Sequence, residues 1–135
     1  PGERSFTTPV FDGWAETEAY FRRLWAEQGP FDAILGFSQG AILIAALAAV
    51  GALRTPRAPA ASAGEALVPP PAALLLFGAA PPGPFREALA QFADCSDAAP
   101  VHALHVVGSA DSINPPEGGR EVAQALGGEV YEHAR

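Results

Sequence analysis

An α/β domain built on a parallel sheet is what this sequence predicts, on three observations. The strand candidates "AALLLF" (72–77) and "VHALHVV" (101–107) are nearly continuous apolar runs, as in strands buried on both faces. Helical patterns alternate with them along the chain, which implies parallel crossovers, with helices expected on both faces of the sheet. The 135 residues suit a single domain, 1–135, with enough material for a core.

The elements follow in order. "GWAETEAYFRRLWAEQ" (13–28) places Trp14, Phe21, Leu24, Trp25 and Gln28 on one helical face, with charges on the other, and "GP" stops it. "FDAILGF" (31–37) reads as a short buried strand. Ser38 follows, then a helix over 39–53, apolar nearly all round and so expected to be covered on most sides. "RTPRAPAASAGEALVPPP" (54–71) is an Ala/Pro-rich insertion; proline removes amide donors, so an exposed excursion is expected there. After the strand at 72–77 come a short helix over 85–92 and the strand at 101–107. The loop "GSADSINPPE" precedes a helix over 116–126, weakened by Gly118 and Gly119. "GGEVYEH" begins a fourth strand.

Composition narrows the function. A net charge of -7, with no run of Lys or Arg, argues against nucleic acid as a partner. Hydrophobic residues make up 49%, which excludes an acidic disordered tail. The longest apolar run, Ala41 to Leu53, is shorter than the roughly 17–25 residues of a membrane span. Cys95 is the single cysteine, so no intrachain disulfide forms and a reducing, cytoplasmic setting is expected. It stands beside acidic residues, which disfavour a thiolate, and it reads as partly buried and inert. No zinc-ligand spacing occurs, and no metal or other cofactor is expected. Nothing in the sequence sets an oligomeric state. With no methionine anywhere, Pro1 is not an encoded start, and processing or a fragment is the expectation.

One motif carries chemistry. Gly36-Phe37-Ser38-Gln39-Gly40 fits Gly-x-Ser-x-Gly between a strand and a helix, the context of a nucleophile elbow. The turn lifts the serine hydroxyl above the sheet edge, and Gly36 and Gly40 avoid clashes between strand and helix. The backbone N–H of Gln39 can face a developing oxyanion. The competing reading is a helix N-cap serine. A serine nucleophile needs a base oriented by a carboxylate, in the chain order Ser, acid, His. Asp111, in the loop after the third strand, is the acid candidate; a solvated turn-forming Asp is the alternative. His102 and His105 precede Asp111, within a strand, and read as structural. His133 has the right order.

The blocks "GPFDAILGFSQGA" (29–41) and "LHVVGSADSINPPEGGREVAQAL" (104–126) resemble the FSH-type serine hydrolases, small α/β-hydrolases. The resemblance implies a partial α/β-hydrolase fold and cleavage of small-molecule carboxylic esters or thioesters through an acyl-enzyme on Ser38. It matches Ser38 to the nucleophile, Asp111 to the triad aspartate of "HVVGSAD", and His105 to a strand position. Two departures stand against it. The family's catalytic histidine ends a His-x-Gly-Gly-His segment, which would place it past Arg135, with His133 at the first histidine. Nothing in residues 1–29 resembles the family's His-Gly oxyanion loop. Asn114 also stands where the family tends to be apolar. Two further readings follow. In one, His133 serves as an improvised base. In the other, the chain is an inactive hydrolase fragment or interaction module, with an unpaired sheet edge and an exposed apolar helix.

Overall fold

The computed structural model describes residues 4–53, 67, 69–93 and 102–134. In order they form α1 (Trp14–Gln28), β1 (Ala33–Phe37), α2 (Gln39–Ala49), β2 (Ala73–Phe77), a 3-10 turn (Gly83–Phe85), α3 (Arg86–Ala93), β3 (His102–Gly108), α4 (Pro116–Leu126) and β4 (Glu129–His133). The strands pair in chain order, β1-β2-β3-β4, all parallel. The α/β class and the parallel sheet are therefore as the sequence predicts.

The core lies between the sheet and its helices. Leu74 and Leu76 from β2 meet Trp25 of α1, Ala41, Ile44, Ala45, Leu47 and Ala48 of α2, Leu89 of α3 and Val122 of α4 in one cluster. Burying such side chains is worth about 1.5–3 kcal/mol each. Aromatic contacts hold α1: Trp14 lies 4.7 Å from Phe85, and Trp25 5.4 Å from Phe31, between ring centroids. Arg86 pairs with Glu121 to join α3 to α4, and Arg120 with Glu132 at 2.7 Å to join α4 to β4.

Among the described residues, the helices gather on this one face. The opposite face carries the cross-strand row Phe37, Phe77, Val106 and Tyr131, in register. Phe37 is 74% exposed and Tyr131 61%, and Leu35 beside them is 64% exposed. The apolar runs call for cover on both sides, and the described residues supply it on one. The exposed apolar surface is thus on the sheet, whereas α2, expected to be exposed in the fragment reading, is buried along most of its length.

Three points bear on the sequence reading. α2 ends at Ala49 rather than 53, because Gly51 at φ 81 breaks it. The amides of Gly51 and Ala52 return to the carbonyls of Ala48 and Leu47 at 2.9 Å, a Schellman closure. Most of the 54–71 insertion lies outside the described residues, as does Cys95. The end of that segment that is described is not all exposed. Leu67 is buried and its N–H bonds Ala52 O, while the Trp25 indole N–H donates to Pro69 O at 3.0 Å. Finally, Gly118 and Gly119 do not interrupt α4. A Cβ on Gly119 would stand 2.9 Å from Val107 Cγ2, so glycine lets α4 approach the sheet closely.

Candidate functional site

The carboxyl ends of β1, β2 and β3 bring together the side chains of interest, where loops of parallel α/β sheets bear their sites. β1 passes into α2 through a single residue, Ser38, at φ 51 and ψ -112. It is the only non-glycine with positive φ among the described residues. Such a conformation costs about 1–3 kcal/mol and persists only where the surroundings impose it. Here they do. The Ser38 N–H donates to Phe77 O at 2.8 Å, across to β2, and the Ser38 carbonyl accepts the Ile42 N–H at 3.1 Å, inside α2.

The two motif glycines are not equivalent. A Cβ on Gly36 would lie 2.5 Å from the Gly40 carbonyl carbon and 2.6 Å from Ala41 N. Only glycine lets the strand end pass that close to the helix start. A Cβ on Gly40 meets nothing within 4 Å among the described residues, so the expectation that both glycines relieve clashes is corrected. Gly40 contributes the backbone against which Gly36 packs. The N-cap reading of Ser38 also loses its basis, since the side chain makes no capping hydrogen bond. Gln39 opens α2, at a position where a helix amide has no intrahelical acceptor.

Asp111 is half-buried in the loop after β3. Its Oδ1 accepts the N–H groups of Ile113 at 2.9 Å and Asn114 at 3.0 Å, an Asx turn. The turn-forming role is therefore present. Oδ2 faces β2, where a Cβ on Gly78 would stand 3.5 Å from it. The Arg4 guanidinium donates to Ile113 O at 2.6 Å and holds the loop from outside.

Asn114 links the two candidates. It is buried, its Nδ2 donates to Gly78 O at 2.8 Å, and the same nitrogen lies 3.4 Å from Ser38 Oγ. Sequence reasoning noticed this residue only as a departure from an apolar pattern. A polar side chain three residues after the acid candidate was the available signal.

The histidines lie elsewhere. His102 is exposed at the amino end of β3, away from Ser38. His105 is buried mid-strand. Its Nε2 bonds Gly127 O at 2.9 Å, so that nitrogen carries the proton, and Nδ1 has no hydrogen-bond partner among the described residues. Burial pushes its pKa below the ordinary 6.5, partly opposed by the Gly127 bond. His133 closes β4 opposite Gly108, with its carbonyl accepting the Ser109 N–H at 2.9 Å. Three strand spacings, about 14 Å, separate β4 from β1. A base arising there has to cross the strand ends to reach Ser38. Among the described residues, no three of His, Cys, Asp and Glu gather to hold a metal, and no helix is long and apolar enough to cross a membrane.

Comparison with known proteins identifies a family. The family model described as serine hydrolase (FSH1) matches residues 2–135. Human Esterase OVCA2 is 34% identical over 103 residues, 76% of this chain and 39% of that protein. The chain therefore spans about two-fifths of that relative's length. No solved structure matches significantly.

Proposed function

This chain belongs to the serine hydrolase (FSH1) family, and we propose that it carries the nucleophile and acid of an acyl hydrolase, Ser38 and Asp111. The substrate is a small carboxylic ester or thioester. Ser38 Oγ adds to the acyl carbon while its proton passes to a histidine. The carbon–oxygen or carbon–sulfur bond then breaks, and the leaving group takes that proton. Water, deprotonated by the same histidine, then adds to the acyl carbon; the bond to Ser38 Oγ breaks, Oγ regains the proton and the acid leaves. The Gln39 N–H stabilises the oxyanion, and the Asp111 carboxylate orients the histidine. The resemblance puts that histidine past Arg135, and His133 is the candidate within these residues. The single cysteine supports a reducing compartment.

One observation carries the reading. The serine of the motif is the residue in the strained turn, and its hydroxyl is not used to cap the helix. The test is labelling of the chain by a fluorophosphonate probe, beside Ser38→Ala. Label that the variant loses supports an activated serine; label that survives in Ser38→Ala sinks it. Where the chain labels, unchanged labelling of His133→Ala excludes His133 as the base.

The open sheet face favours a second reading, in which these residues act by association. Leu35, Phe37 and Tyr131 form an exposed apolar surface of the kind that joins partners. Sedimentation at rising concentration tests it: a chain that stays monomeric throughout rules out self-association.

A further inference from the structure

We infer that Asn114 positions the Ser38 hydroxyl for attack, an inference that rests on the reading of Ser38 as nucleophile. The orientation of its carboxamide follows from chemistry. The Gly78 carbonyl only accepts, so the atom 2.8 Å from it must be the NH2 group. The second N–H of that group is then the one turned toward Ser38 Oγ, at 3.4 Å. The hydroxyl oxygen accepts from Asn114, which leaves its own proton for a base.

Two features make this contact more than a neighbour's approach. Asn114 is fixed at both ends, its backbone N–H on Asp111 Oδ1 and its side chain on Gly78 O. It is also buried, where a polar side chain is costly unless its hydrogen bonds are used. Asn114 therefore couples the strained turn after β1 to the acid's loop after β3, through the end of β2. As the Ser38 proton leaves, charge builds on Oγ, and the 3.4 Å N–H contact shortens and strengthens. The donor thus favours the attacking form over the resting one. An apolar side chain of the same size fills the space without that effect.

The test compares Asn114→Leu and Asn114→Asp with the parent chain in fluorophosphonate labelling. In the labelling step, Oγ bonds to phosphorus, fluoride leaves and the serine proton goes to the base. Both variants lose the donor; Leu keeps the volume, and Asp keeps the shape. The expected result is an inactivation rate constant lower by about tenfold, the scale of a hydrogen bond to a charged group. The half-saturating probe concentration is expected to stay unchanged, while the melting temperature of Asn114→Leu falls with the loss of the Gly78 bond. Labelling of Asn114→Leu at the parent rate overturns the inference and leaves the Ser38 reading intact. A parent chain that takes no label means that the activating base lies outside these residues, and a second measurement then decides on Asn114. In nitrogen-15 spectra, Ser38→Ala is expected to move one of the two Asn114 side-chain N–H resonances and leave its partner on Gly78. If neither moves, the positioning contact does not exist.

Discussion

The turn after β1 and the loop after β3 deliver their side chains to the same sheet edge, and they are held by different forces. At the turn, one residue joins strand to helix, and the Ser38 side chain makes no capping bond. Close packing of Gly36 on the Gly40–Ala41 backbone, with the Ser38 N–H donating to Phe77 O, keeps Ser38 at positive φ. In the loop, hydrogen bonds do the holding: Asp111 Oδ1 on two amides, Asn114 Nδ2 on Gly78 O and Arg4 on Ile113 O. The difference teaches where each region is vulnerable. A turn held by packing should fail when volume is added. A loop held by hydrogen bonds should fail when acceptors are removed, and should tolerate a change of charge that keeps them.

The largest effect is expected from Gly36→Ala. The new methyl meets backbone atoms at 2.5–2.6 Å, and backbone cannot swing aside as a flexible side chain can. Overpacking of this kind costs about 3 kcal/mol or more. Urea denaturation followed by Trp14 and Trp25 fluorescence measures it. A midpoint equal to the parent's would mean that the turn has slack and is not held by packing.

The next effect belongs to the loop. Asp111→Ala removes the acceptor of two amides and is expected to cost about 1–2 kcal/mol, with faster amide exchange at Ile113 and Asn114. Asp111→Asn keeps an oxygen at Oδ1 and is expected to recover most of that stability. Should Asn fare as badly as Ala, the charge and not the hydrogen bonds would be what orders the loop.

A third prediction gives the β3 side its own pH dependence. His105 has a folded pKa lowered by burial, against an ordinary value of 6.5. Below about pH 6.5 the unfolded chain takes up this proton and the folded chain does not. Stability is therefore full above that pH and falls as pH drops from there toward the folded value. Urea midpoints measured from pH 8 to pH 5 should show the decline, and His105→Leu should flatten that part of it. An equal decline in His105→Leu would assign the acid sensitivity to the carboxylates.

Much of this arrangement was legible in the residues themselves. The apolar runs marked β2 and β3, although the described residues cover only one of the two faces that such runs imply. The bounds of α4 were read correctly from Pro116 and the glycine that follows Leu126. What escaped notice was set by tertiary contact. The apolar run through Leu53 hid the stop at Gly51, since the residues after the helix are buried too. Gly119 read as a weakness of α4 because its partner, Val107, is distant in sequence. At the candidate site, Ser38 was proposed from its motif, and Asp111 from chain order together with the family resemblance. Asn114 stood out locally only as a polar residue after the acid candidate, and its meaning depends on the Gly78 carbonyl, distant in sequence.

The smallest predicted effect is the sharpest contrast with the first. Gly40→Ala changes the other glycine of the same motif by the same methyl group. Its Cβ enters open space, and the residue is already helical, where alanine is favoured over glycine by up to about 1 kcal/mol. The variant should therefore be unchanged or slightly more stable by the same urea measurement. A loss comparable to that of Gly36→Ala would show that the turn resists any added volume, and would break the distinction between the two glycines. If stability holds while fluorophosphonate labelling falls, the empty space above Gly40 is space that the reacting molecule uses. The motif would then contain one glycine required by the fold and one required by the ligand.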